Sequence, residues 1–168
     1  ILGYTDGTFK PDREVSRFEA MIMISRALGV DDPANQSEVE LATQAFGNAL
    51  SSYNLYSKKE VCYLLYKRVL KVDELDKYLG GTRAGTSLLR HEASVLLTKT
   101  LGKEEEVKQK VLINLPFVDQ NDIPNESKPY VEFTQKQGII KGITATEFAP
   151  QNPVTRAQMA TILAKSIK

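Results

Sequence analysis

Residues able to carry catalysis are few in this chain. It has one histidine, His91, one cysteine, Cys62, and no tryptophan. A single thiol closes no intramolecular disulfide, and no second ligand stands near it at metal-binding spacing. One imidazole leaves little from which to build a Ser/His/Asp triad or a metal centre. Asp6 and Asp12 would make a carboxylate pair, yet nothing orders them around a cleft. The alternation of ligands after Asp6 is also wrong for a calcium loop. The expectation is a non-enzymatic protein with no cofactor and no metal. What recurs instead is arginine: Arg17, Arg90 and Arg156 each open an apolar segment, with Glu19, Glu92 or Gln158 two residues on.

Composition narrows the partners. The 168 residues carry 22 Lys+Arg against 21 Asp+Glu, a net charge of +1. Residues 1–33, 34–104 and 105–168 sum to −2, +2 and +1, so no segment offers the basic face that nucleic acid requires. Val154-Thr-Arg-Ala-Gln-Met-Ala resembles a DNA-reading helix, but the near-neutral charge argues against that use. At 42% hydrophobic the chain can bury a core, and no apolar run is long enough to span a membrane. It starts at Ile-Leu-Gly-Tyr, without Met or a signal-peptide pattern, and reads as a piece of something longer.

The elements that must position the arginines come from internal repeats. Residues 1–28 align with 140–167 without a gap, matching Gly3 to Gly142, Phe9 to Phe148, Pro11 to Pro150, Val15 to Val154 and Arg17 to Arg156. The second half of that unit, 15–29, recurs at 56–70, 88–102 and 154–168. Each copy has a basic residue third (Arg17, Lys58, Arg90, Arg156) and another nine residues later (Arg26, Lys67, Lys99, Lys165). Apolar columns between them fall at helical spacing, so each copy reads as an amphipathic helix. Ser16, Ser57 and Thr155 suit N-caps with an acid or amide three residues on, and Gly29 and Gly102 suit helix ends. Further helices are expected over Val39–Leu50, Ser127–Gln137 and Glu74–Tyr78. A short extended piece is expected within Leu112–Val118, and a solvated connection or helix end at 104–110. The fold class is all-α, a set of helix–loop–helix units that pack on one another.

These residues resemble the S-layer homology (SLH) family. Ile-Leu-Gly-Tyr-Thr-Asp-Gly-Thr-Phe-Lys-Pro (1–11) and Val-Ser-Arg-Phe-Glu (15–19) match the latter half of its unit. Phe117-Val-Asp119, Gly138-Ile-Ile-Lys-Gly142, Phe148-Ala-Pro150 and Val154-Thr-Arg-Ala-Gln158 match a whole one. The middle unit matches mainly at Leu89-Arg90-His91-Glu92 and Leu101-Gly102. The resemblance implies a pseudo-three-fold helical bundle with units 1–33, 34–104 and 105–168. It implies a secreted module on a bacterial cell wall or S-layer whose partner is an anionic, often pyruvylated, secondary cell-wall polysaccharide. A pyruvate ketal is a fixed carboxylate, and a guanidinium offers it two parallel donors. The implied ligand-binding residues are Arg17, Arg90 and Arg156, the loop glycines Gly3 and Gly142, and Asp6, Ser16 and Thr155 for sugar hydroxyls.

The chain departs from the family pattern in several places. The first unit lacks its leading helix, and the middle loop, counted from Gly80 to Arg90, is about four residues shorter than Gly3 to Arg17. Leu89 stands at the hydroxyl position, 56–70 reads as an extra loop-less copy, and no aromatic precedes the helix near Asn125–Ser127. Alternatively the elements are permuted, with Val39–Leu50 in place of the missing helix. The competing structural roles are definite. The arginines would pair with a helix-end carboxylate of the next repeat, and Glu19, Glu92 and Gln158 would cap helices. Asp6-Gly7 would be a turn, the Arg26/Lys67/Lys99/Lys165 column a solvated face rather than groove lining, His91 surface or interface, Cys62 core. Tyr53, Tyr56, Tyr63 and Tyr66 would pack, or an exposed pair would stack on sugar. A second functional reading is a protein–protein module of a surface lattice, with self-association through the wider protein.

Overall fold

The computed structural model describes residues 3–167. Ile1 and Leu2 of the opening motif, and Lys168 of the last repeated segment, lie outside the described residues. Among the described residues there are eight α-helices and no sheet, so the fold is all-α. The helices are α1 (Arg17–Ala27), α2 (Gln36–Phe46), α3 (Lys59–Tyr66) and α4 (Leu75–Leu79), then α5 (Arg90–Thr100), α6 (Glu104–Lys108), α7 (Lys128–Lys136) and α8 (Arg156–Ser166). None is long and apolar enough to cross a membrane.

The pseudo-three-fold axis is written in backbone hydrogen bonds. Val15 N–H donates to Val154 O at 2.9 Å, Val154 N–H to Leu88 O at 2.9 Å, and Leu88 N–H to Val15 O at 2.8 Å, closing a ring. All three side chains are buried. One step further on, Arg17, Arg90 and Arg156 N–H donate to Thr86, Asn152 and Arg13 O at 2.9, 3.0 and 2.9 Å. The ring thus satisfies first-turn donors that a helix leaves without intrahelical partners. From it α1, α5 and α8 diverge. Ser16 and Thr155 cap α1 and α8 in reciprocal boxes, whereas Leu89 offers only its N–H, to Glu92. Gly29 and Gly102 end α1 and α5 at φ 87° and 67°, where an L side chain is strained.

Outer helices cover two of the three inner ones: α3 packs on α1, and α7 on α5. The structure corrects the reading of 56–70 as a further copy of the inner helix. After α7, Gly138 takes φ 67°, and Ile139 and Ile140 N–H both donate to Thr134 O at 2.9 and 3.3 Å. After α3, Arg68 takes φ 59°, and Val69 and Leu70 N–H both donate to Leu64 O at 2.9 and 3.3 Å. So α3 is the counterpart of α7 and leads the middle unit. Its N-cap is Lys58, and the Ser57 hydroxyl donates to Glu60 instead of accepting from the backbone. With Arg68 on Gly138, Val72 falls on Gly142, so the middle loop up to Arg90 is longer than its counterparts, not shorter.

Three smaller expectations are also revised. Residues 112–118 form no strand, and 104–108 is a helix with Val107 fully buried. Lys99 is 4% exposed, not solvated. His91 is an interface residue, its Nδ1 3.1 Å from Ser127 Oγ, and burial lowers its pKa. As read from the sequence, Cys62 is core. Helix α2 lies on α3, burying Val39 against Tyr63, whose hydroxyl donates to Leu28 O at 3.2 Å.

Candidate carbohydrate grooves

Each inner arginine reaches across the axis to the loop of a neighbouring repeat. Arg156 Nε donates to Phe9 O at 2.9 Å, and its guanidinium carbon lies 5.0 Å from the Phe9 ring and 4.7 Å from the Tyr4 ring. Arg90 repeats this on the third loop: Nε to Phe148 O at 2.9 Å, Nη2 to Lys141 O at 2.6 Å, and 5.0 Å to the Phe148 ring. The guanidinium and ring planes hold each loop against the helix start. Arg17 meets the first turn of α5 and the loop before it. Its Nε and Nη2 donate to Glu92 Oε1 at 3.1 and 2.8 Å, and its Nη1 to Thr86 Oγ1. The helix-end carboxylate pairing weighed for all three is realised in Arg17.

Two grooves flank these latches. The larger, about 230 Å³, lies on α1 between Gly3, Tyr4 and Arg156 on one side and Met23, Arg26 and Tyr56 on the other, with Glu19 on its floor. Around Tyr4 three cations converge: Lys10 Nζ at 4.5 Å from the ring centroid, Arg13 at 5.3 Å and Arg156 at 4.7 Å. Arg26 adds a fourth positive charge, 3.3 Å from Asp31. Tyr56 is 79% exposed and rests edge-on against Phe18 with centroids 4.8 Å apart, which leaves a ring face to solvent. Lys10, Arg13 and Arg26 pair with Asp6, Glu19 and Asp31 at 3.2, 3.1 and 3.3 Å. These pairs are solvent-exposed and weak, so the cations can exchange them for an anionic sugar beside the open aromatic face. The second groove, about 180 Å³, lies on α8 between Arg90, Lys141, Gln158 and Thr161, the symmetry counterpart of the first without an aromatic.

The sequence-derived residues divide accordingly. Gly3 and Arg156 meet in the α1 groove, and Arg90 lines the α8 groove beside the strand of chain that leads to Gly142. A Cβ on Gly142 would sit 2.4 and 2.6 Å from Thr144 and Glu147 O and 2.7 Å from the Phe117 ring, so this glycine is required by packing. Asp6 accepts from Thr8 N–H and Oγ1 at 3.0 and 2.6 Å, a turn whose hydrogen bonds lower its pKa. Ser16 and Thr155 accept from Glu19 and Gln158 N–H at 3.1 and 3.3 Å as caps. Tyr4, Arg26 and Tyr56 are the groove residues that the repeat pattern did not single out for ligand contact. Groove lining by the Arg26 column and sugar stacking by an exposed tyrosine pair were the sequence signals that pointed that way. Among the described residues no cluster of three metal-ligating side chains occurs.

An all-helical repeat bundle with grooves between its units is the class of protein that this geometry defines. The S-layer homology domain family model matches residues 1–21 and 116–160 of the chain. The chain is 23% identical over 169 residues to a cellulosome-anchoring protein of Acetivibrio thermocellus, covering all of this chain and 35% of that protein. It is 23% identical to cell surface glycoprotein 1 of the same organism, spanning 7% of its length. An amylopullulanase of Thermoanaerobacterium thermosulfurigenes is 24% identical over 97% of this chain, which spans 8% of that enzyme. The chain thus spans about a third or less of these relatives.

Proposed function

We propose that this chain is a non-catalytic anchoring module that binds an anionic, pyruvylated secondary cell-wall polysaccharide. It would hold a larger exported protein on a bacterial cell wall or S-layer, and its repeats would divide as 1–33, 34–104 and 105–168. The observation that carries the reading is the α1 groove, where Arg156, Arg26 and the cations around Tyr4 face the same opening as the exposed Tyr56 ring. The guanidinium of Arg26 would take the ketal carboxylate, and Tyr56 would stack on a sugar face. The names of two relatives, an anchoring protein and a cell surface glycoprotein, support the same placement. Sedimentation with purified wall sacculi tests it. The wild type co-sediments, and R26A and Y56A each weaken binding about tenfold while their melting temperatures stay close to wild type. Equal co-sedimentation of all three proteins would overturn the assignment of the groove.

A further inference from the structure

We propose that the third groove of the pseudo-three-fold module, on α5, is occupied by the chain's own Glu74 carboxylate and takes no external ligand. Lys99 stands on α5 where Arg26 stands on α1 and Lys165 on α8. Arg26 and Lys165 are exposed, but the Lys99 side chain is 2% exposed. Its ammonium is in direct contact with Glu74, and Glu104 approaches to 3.6 Å. A buried ammonium without a partner is strongly unfavourable, so these carboxylates are required where the sequence places that lysine.

Glu74 arrives there because the middle loop differs. At the position of Gly3 and Gly142 stands Val72, and the chain turns at once into a short helical segment, Val72–Glu74. That turn delivers a carboxylate over the inner helix where the other repeats deliver Tyr4-Thr5 and Ile143-Thr144. Arg17, the third arginine of the set, is meanwhile engaged by Glu92 at 2.8 Å. Both cations that would receive an anion on α5 therefore hold one in cis at largely buried positions, whereas the Arg26–Asp31 pair on α1 is solvent-exposed. A tethered carboxylate competes at an effective concentration of about millimolar or more, which a dilute ligand does not match. This inference rests on the proposed function for what the other two grooves bind, but not for the occupancy of the third.

The test has two arms. In E74A, sodium acetate at matched pH and ionic strength should raise the melting temperature by about 2–4 °C over sodium chloride. The wild type and E106A, which breaks the exposed Lys103–Glu106 pair, should show no such difference. No acetate-specific rescue of E74A would overturn the proposal. In the second arm, the methyl glycoside of a pyruvate-ketal hexosamine is titrated into the wild type and followed by amide chemical shifts. Shifts around Arg26 and Tyr56 on α1 and around Thr161 on α8, with Lys99 and Arg17 unmoved, support it. Equal shifts at Lys99 overturn it, and this arm decides if E74A does not fold. A glycoside that moves no signal anywhere removes the proposed function, and the acetate arm then decides the Glu74 assignment alone.

Discussion

Arg90 Nε donates to the Phe148 carbonyl oxygen at 2.9 Å, and the guanidinium carbon lies 5.0 Å from the ring of the same residue. One side chain thus fixes both the backbone and the side chain of a loop in the neighbouring repeat. R90A leaves the Phe148 and Lys141 carbonyls without this donor and removes a 7% exposed side chain from its packing. The expected loss is about 2–4 kcal/mol by urea denaturation. R90K should recover little of it, because an ammonium cannot serve both carbonyls with a planar fork. A loss within about 0.5 kcal/mol would contradict the latch.

Gly3 and Gly142 match in the sequence repeat but differ in surroundings. An added methyl at Gly142 meets two carbonyl oxygens and an aromatic ring within 2.7 Å, whereas at Gly3 the nearest atom is Thr8 O at 3.0 Å. G142A should cost about 2–3 kcal/mol and G3A less than about 1 kcal/mol. Equal costs in paired denaturation curves would show that the two loops are packed alike.

Arg68 occupies the left-handed region at φ 59°, with its side chain in solvent. Glycine adopts that conformation without the Cβ clash, though it adds freedom to the unfolded chain. R68G should therefore stabilise the protein by about 0.5–1 kcal/mol, and G138A at the matching position should destabilise it. A lower melting temperature for R68G would mean that the arginine stem contributes packing of its own.

That residue also explains what could be read in advance. The gapless match of 1–28 to 140–167 located α1, α8 and their hydroxyl caps, and Gly29 and Gly102 marked the ends of α1 and α5, because each of those signals is local. The role of 56–70 was hidden by Arg68, which replaces the glycine that marks the end of α7. The spacing of Lys58, Glu60 and Lys67 imitates the inner-helix pattern, so periodicity favoured the wrong counterpart. The partners of Arg17, Arg90 and Arg156 were not legible either. A guanidinium near a helix start fits an external carboxylate as well as a carbonyl from a loop tens of residues away, and only the three-fold packing decides which it meets. Lys99 was read as solvent-facing for the same reason, since Glu74 and Glu104 reach it from other elements.

Acid should expose a second cluster. Glu132 is 1% exposed, and burial alone would raise its pKa. Hydrogen bonds from Lys136, Asn114 N–H and Lys110 outweigh burial and hold it down at about 2, against an ordinary 4.5. A carboxyl lowered on folding stabilises the protein above its unfolded pKa, and that contribution fades as pH falls from about 4.5 towards about 2. The difference corresponds to about 3 kcal/mol. E132Q should be less stable than wild type at neutral pH and show a flatter acid limb in a stability-versus-pH series. An unchanged slope would place the acid sensitivity elsewhere.

Calorimetry with purified wall polysaccharide, before and after acid removal of its pyruvate ketals, tests the central claim most directly. The account predicts saturable heat with the pyruvylated polymer, its loss after the ketals are removed, and a weaker isotherm for R26A. Equal binding of both polymers, or no heat with either, would contradict it.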